Sequence, residues 1–228
     1  MVKVEQLAEN EIKNVPKNLF EGKRHLSAKE IEILEKNLNH NSDPSWNNFY
    51  VDNKEGAFDP SLIHMSFFSG FIVLGKLKKL NLHFNDLILE CGIRRSNLHD
   101  VVTGDDCVIR NVYYMDNYRI GSRVIIFNIQ ELCCTKHSKF GNGILKKGEP
   151  EEHRIWIGVA NENDGRAILP FEDMIPADAY LWSHYREDKK LLDKFKALTE
   201  NENSRELDTY GIIGNDCVIK NSSIIKDT

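Results

Sequence analysis

His99, in the stretch SNLHDVV, is the side chain best suited to proton transfer near neutral pH, because an imidazole titrates there. Its neighbour Asp100 projects to the opposite side of an extended strand, so the spacing identifies no group to orient the ring. Arg94 and Arg95 could grip a phosphate or carboxylate in bidentate fashion. Adjacent strand residues face opposite ways, so at most one of the two is expected to do so. A third group lies in FGNG (140–143) and NENDGR (161–166), which place Asn142, Asn161, Glu162 and Arg166 on loops where binding residues tend to collect. Each has a plain alternative: a surface histidine, solvated corner arginines, and turn residues around Asp164-Gly165. The stretch CCTKH (133–137) suggests a metal, but no second ligand pair has zinc-like spacing, so none is expected.

The elements carrying these residues show an internal echo. Residues 104–111 read GDDCVIRN and residues 214–221 read GNDCVIKN, identical at six of eight positions. Apolar or small residues at offsets 0, 4 and 6 recur at Phe68-Ile72-Leu74, Thr103-Cys107-Ile109, Ile120-Val124-Ile126 and Ile213-Cys217-Ile219, each with a nearby glycine. Short repeats of this kind predict a parallel β-helix, with aliphatic residues stacked inward and Gly, Asn and Asp at the corners. Cys107 and Cys217 then hold inward positions too cramped for a bulky side chain. The competing reading is an antiparallel sandwich with GDD and GND as hairpin turns.

The remaining segments are read by period and punctuation. Residues 1–25 are polar and are expected to form an arm. LSAKEIEILEKNL predicts a helix with a Ser27–Glu30 capping box and with Ile31, Leu34 and Leu38 on one face. HRIWIGVANENDGRAILPF predicts a hairpin in which Ile155, Ile157 and Val159 alternate before Asp164-Gly165, and Ala167 and Leu169 after it. PADAYLWSHYREDKKLLDKFKALTE predicts one helix with Pro176 in its first turn and with Leu181, Tyr185, Leu192 and Phe195 on a shared face. The expected layout is an arm and capped helix to residue 60, β-helix coils over 61–135, an inserted hairpin and helix over 136–209, and a return to the coil over 210–228. That last stretch stops in mid-repeat, as a portion of a longer coil or a short version with an open end would.

Bulk properties narrow the function classes. A net charge of −5 gives no basic footprint for nucleic acid. No apolar run reaches the ~20 residues of a membrane span. The N-terminus lacks the apolar core of a secretory signal, and five cysteines without framework spacing suit a reduced, cytoplasmic setting.

Over residues 26–228, LSAKEIEILEKN, FSGFIVLG, SNLHDVVTGDDCVIRNV, DNYRIG, FGNG and NENDGR resemble an uncharacterised bacterial family of hexapeptide-repeat proteins with a domain of unknown function. The resemblance implies a mainly β fold, a left-handed parallel β-helix with an N-terminal helix and an inserted hairpin plus helix. Left-handed coiling comes from the resemblance alone, since crossovers are normally right-handed. It further implies an acyltransferase-like protein acting on or binding a sugar or nucleotide-sugar, with acetyl-CoA as a possible donor. His99 would be its general base, and it would self-associate as a trimer. The chain has no Gly-rich nucleotidyl-transfer loop, so kinship to sugar-nucleotide pyrophosphorylases concerns their β-helix only. The alternative is a non-catalytic scaffold for oligomerisation or partner binding, because a fold does not fix a function.

Overall fold

The computed structural model describes residues 17–135, 137–139, 143–159, 165–201, 204–206 and 210–227. The chain divides into two compact units. One comprises the residues up to Gln130 with Ile213–Ser223, and the other Glu131–Ile212 with the residues from Ile224 on.

In chain order the first unit contains β1 (Lys23–His25), α1 (Ala28–Lys36), β2 (His40–Asn41), β3 (Phe49–Asp52), β4 (Ile63–His64), β5 (Phe67–Val73), β6 (Asn81–Phe84), β7 (Leu87–Glu90), β8 (Gly92–Arg94), β9 (Asn97–Thr103), β10 (Val108–Ile120) and the start of β11 (Ile125–Cys133). The second unit adds β12 (Ile157–Gly158), β13 (Ala167–Ile168), α2 (Pro176–His184) and α3 (Lys189–Asn201). The strands β14 (Gly211–Ile213) and β15 (Val218–Lys226) then follow.

The protein is mainly β, and among the described residues eleven strands join one sheet whose principal path runs β1-β3-β5-β9-β10-β11-β15. Pairing is parallel for β5 with β9, β9 with β10, and β8 with β10, but β1 pairs antiparallel with β3. The sheet is therefore mixed, which corrects the expectation of a purely parallel one. The reason lies at the edge: three residues, Lys23, Arg24 and His25, fold back on Phe49–Asp52 as a short, charged edge strand that discourages further pairing. The end of the expected arm is thus a strand. A separate antiparallel pair, β6 with β7, turns at Asn85, where φ is 53°.

Stacking in this unit accounts for the repeated phrase. Gly104 N donates to Ile120 O at 2.7 Å, and Gly121 N donates to Ile213 O at 2.8 Å. GDDCVIRN thus lies on GSRVIIFN (121–128), which lies on GNDCVIKN, with offsets of 17 and then 93 residues. The inward column Ile93, Ile109 and Ile126 is buried, as are Cys107 and Val124. Corners fall in columns where φ is positive: Asp106, Arg123 and Asp216 in one, and Met65, Arg95, Asn111, Asn128 and Asn221 in another. Asn and Asp tolerate this region better than other non-glycine residues, which explains their recurrence. A Cβ on Gly121 would lie 2.6 Å from Asn215 N, so close backbone approach requires glycine there.

Helix α1 begins as its capping box predicts, with Glu30 N donating to Ser27 Oγ at 3.3 Å and Ser27 N donating to Glu30 Oε2 at 2.8 Å. Arg24 adds bonds of 2.7 and 2.8 Å to the same carboxylate. Leu34 is buried, but Leu38 lies past the helix end at φ 61° and is exposed, so it leaves the expected face.

In the second unit, β12 and β13 pair antiparallel, and residues 160–164 between them lie outside the described set. Ile155 and Ile157 face solvent while Ile168 and Leu169 are buried, so the first run contributes only the partly buried Val159 to the core and the second run contributes most. The single expected helix is two, because Tyr185 leaves helical geometry and Asp188 Oδ1 accepts from Leu191 N at 3.0 Å, starting a new helix. Leu181 and Tyr185 are consequently exposed, and the core forms from Ile168, Leu169, Phe171, Trp182 and Phe195. Trp182 stacks on Phe195 at a centroid distance of 5.0 Å.

Candidate functional site

The parallel register places Ser69 beside His99 on β5 and β9, and Asp116 beside His99 on β10. Ser69 Oγ lies 2.8 Å from His99 Nδ1. The other ring nitrogen, Nε2, lies 3.4 Å from Asp100 Oδ2. Strand alternation would send Asp100 away from His99, but Asp100 has φ 51°, which interrupts the alternation and brings the two together. The Asp100 carboxylate is buried, and its Oδ1 accepts from Phe71 N at 3.0 Å. Gly70, itself at φ 63°, makes room, since a Cβ there would overlap the carboxylate.

A neutral imidazole has one N–H and one lone pair. The carboxylate beside Nε2 favours the proton on that nitrogen and leaves the Nδ1 lone pair facing the Ser69 hydroxyl. His99 is thus held between a hydroxyl and a carboxylate, the arrangement of an oriented general base. Donor atoms of His99, Asp100 and Asp116 also lie within 4.8 Å of one another, a spacing a divalent cation could bridge.

A second polar site lies in the same unit. Arg110 stands opposite Arg94 in the register, and both project outward from rungs whose neighbouring isoleucines are buried. With His64, Met65, Arg95, Asn111 and Phe127 they line a hollow of about 360 Å³. The sequence expectation that only one of Arg94 and Arg95 could serve a site is corrected: both line this hollow, because Arg95 occupies a corner at φ 50° instead of an extended position. Arg94 is paired with Glu90, and Arg110 Nη2 donates to the Glu90 carbonyl at 2.7 Å. Burial, then the neighbouring Arg94 charge, holds Arg110 below its ordinary pKa.

Of the loop residues read as binding groups, Asn142, Asn161 and Glu162 lie outside the described residues. Arg166 is exposed in the second unit, where its carbonyl accepts from Val159 N at 3.0 Å. Two of the thiols are poor nucleophiles. Burial pushes Cys107 up to about 12 and Cys91 up to about 11, so both stay protonated near neutral pH. His137 approaches Glu149 Oε1 at 3.3 Å.

Ser69, Asp116, His64 and Arg110 were not read from the sequence. They lie 30 or 17 residues from His99, and at similar removes from Arg94, so only the strand register reveals them.

Parallel-paired strands within a mixed sheet carry the oriented histidine of a mainly β protein. The chain belongs to the family described as "Domain of unknown function (DUF4954)", which matches residues 23–228. It is similar to an uncharacterized protein of Treponema pallidum (strain Nichols), with 39% identity over 204 residues. That match covers 90% of this chain and 28% of the relative, so the chain spans little more than a quarter of that protein's length. No solved structure matches.

Proposed function

We propose that the chain is a transferase-like protein of the hexapeptide-repeat, left-handed β-helix type, with His99 as general base in acyl transfer to a sugar or nucleotide-sugar. The observation carrying this reading is His99 held between Ser69 Oγ at 2.8 Å and the buried Asp100 carboxylate. The inward columns and positive-φ corners of the first unit support the coil. Assembly as a trimer and a cytoplasmic location belong to the same reading.

In this mechanism an acceptor hydroxyl or amine takes over the hydrogen bond that Ser69 makes to Nδ1. The acceptor attacks the thioester carbonyl of an acyl donor such as acetyl-CoA. A carbon–oxygen or carbon–nitrogen bond forms as the carbon–sulfur bond breaks. The acceptor proton passes to Nδ1, and the imidazolium returns it to the departing thiolate. Asp100 stabilises the imidazolium between these events.

Thiol release from acetyl-CoA, measured with amino sugars and nucleotide-sugars as acceptors, tests the reading. His99→Ala is expected to cost ~10²–10⁴-fold in turnover, and Ser69→Ala far less, since Ser69 only positions the ring. Absence of both turnover and calorimetric acetyl-CoA binding in folded wild-type protein would overturn the reading and favour a non-catalytic scaffold.

A further inference from the structure

We propose that Arg94, Arg95 and Arg110 form a binding site for a phosphate dianion, free or carried as a monoester, separate from the His99 cluster and independent of the acyl-transfer reading. Three arginines line one hollow of about 360 Å³, where Arg94 pairs with the Glu90 carboxylate and Arg110 bonds only the Glu90 backbone carbonyl. Unscreened like charges at this spacing repel, and pairing with Glu90 offsets only one of them. The surplus of two positive charges matches a phosphate dianion and exceeds what a carboxylate monoanion neutralises.

The hydrogen-bond inventory points the same way. Arg94 Nε and Arg110 Nε are buried and have no hydrogen-bond partner among the described residues. Buried donors are normally satisfied, so these two nitrogens mark guanidinium groups that the surrounding side chains leave incompletely paired, on residues that line one hollow. Arg95 is held at φ 50°, unfavourable for a non-glycine residue other than Asn or Asp, and this conformation places its side chain at the same hollow. Column stacking adds the third contribution: Arg94 and Arg110 are successive rungs, so their spacing is fixed by the sheet and not by flexible loops.

An adjoining hollow of about 510 Å³ shares Arg95 and Asn111 and is lined further by Tyr113, Asn128 and Gln130. Tyr113 is 78% exposed, leaving its ring face open to a flat group carried beside the phosphate. The site therefore fits a phosphoryl group by charge, and an organic phosphate by the aromatic shelf next to it.

Isothermal calorimetry on the whole chain at low ionic strength, with inorganic phosphate and a nucleoside 5′-monophosphate as probes and the uncharged nucleoside as control, tests this. Saturable binding of the phosphate-bearing probes that weakens with added salt is expected, with no heat from the nucleoside alone. Arg110→Gln and Arg95→Gln are each expected to weaken binding by about tenfold or more, with circular dichroism and thermal midpoint confirming the fold. Arg95 is exposed at a corner, so its variant guards against misfolding as the cause. Tighter binding of the nucleotide than of phosphate, lost in Tyr113→Ala, assigns the occupant as an organic phosphate. Equal binding of the two, still sensitive to the arginine variants, assigns it as free phosphate. No saturable binding of either probe, or binding unchanged in both folded arginine variants, overturns the proposal.

Discussion

In the first unit a rung packs against another rung of nearly the same composition, whereas in the second the core is assembled from unlike residues brought from far apart. Gly104, Gly121 and Gly214 follow one another in the stack, and Ile93, Ile109 and Ile126 form one inward column. The second unit instead gathers Ile168, Leu169 and Phe171 from a strand and its exit, with Trp182 from α2 and Phe195 from α3. In the stack the limiting quantity is how closely backbones approach, so an added atom is the main threat. In the aromatic cluster it is apolar volume, so a removed ring is the main threat. The same protein therefore has two opposite sensitivities to side-chain size.

Deleting volume in the second unit carries the largest expected effect. Phe195→Ala removes a ring that stacks on both Trp182 and Phe171 and is expected to cost ~3–5 kcal/mol, read from urea denaturation followed by tryptophan fluorescence. The converse test adds a methyl group to the stack. Gly121→Ala places a Cβ 2.6 Å from Asn215 N and 2.7 Å from Gly214 C, backbone atoms that cannot yield as a side chain would. It is expected to cost ~1–3 kcal/mol by the same measurement. If Gly121→Ala were neutral, the rungs would not be as closely stacked as their hydrogen bonds imply, and the contrast between the units would fail.

The units also differ in how much the sequence reveals. The triplets beginning at Thr103, Ile120 and Ile213 share one register and are buried or half-buried, because a stack repeats its local geometry and so its residue choices. Phe68-Ile72-Leu74 is buried but out of step, since Val73 stands beside Val102. The repeated phrase was visible, but the rung between its two copies, GSRVIIFN, was partly hidden because Ser122-Arg123 stand where the others carry acidic or amide residues. The antiparallel edge strand β1 was not legible, since three charged residues have no period of their own. In the second unit the helical pattern was visible but its break was not. Asp188 acts as a cap only because the chain turns at Tyr185, and a helical wheel drawn through both helices mixes two faces. His99 and Arg94 were legible by residue type, while their partners Asp100 and Arg95 were misassigned by the rule of strand alternation. Both sit at positive φ, where that rule lapses.

At the start of α1 the first unit relies on charge instead of stacking, and the expected effects there are smaller. The Glu30 carboxylate receives the Arg24 guanidinium and caps the start of α1 through Ser27. Chiefly the Arg24 hydrogen bonds, opposed by burial and aided by the bonds from Ser27, lower its pKa from an ordinary 4.5 to about 2. A carboxyl depressed in the folded state binds its proton more readily when unfolded, so its stabilising contribution is complete above about 4.5 and is lost as pH falls towards about 2. Thermal midpoints of wild type and Glu30→Gln should therefore differ most near neutral pH and converge as pH drops through that window. Ser27→Ala, which removes the cap hydroxyl but keeps the Arg24 pair, is expected to cost ~1 kcal/mol at neutral pH. A difference between wild type and Glu30→Gln that stayed constant down to pH 2 would show that packing at α1, and not the carboxylate charge, holds the helix in place.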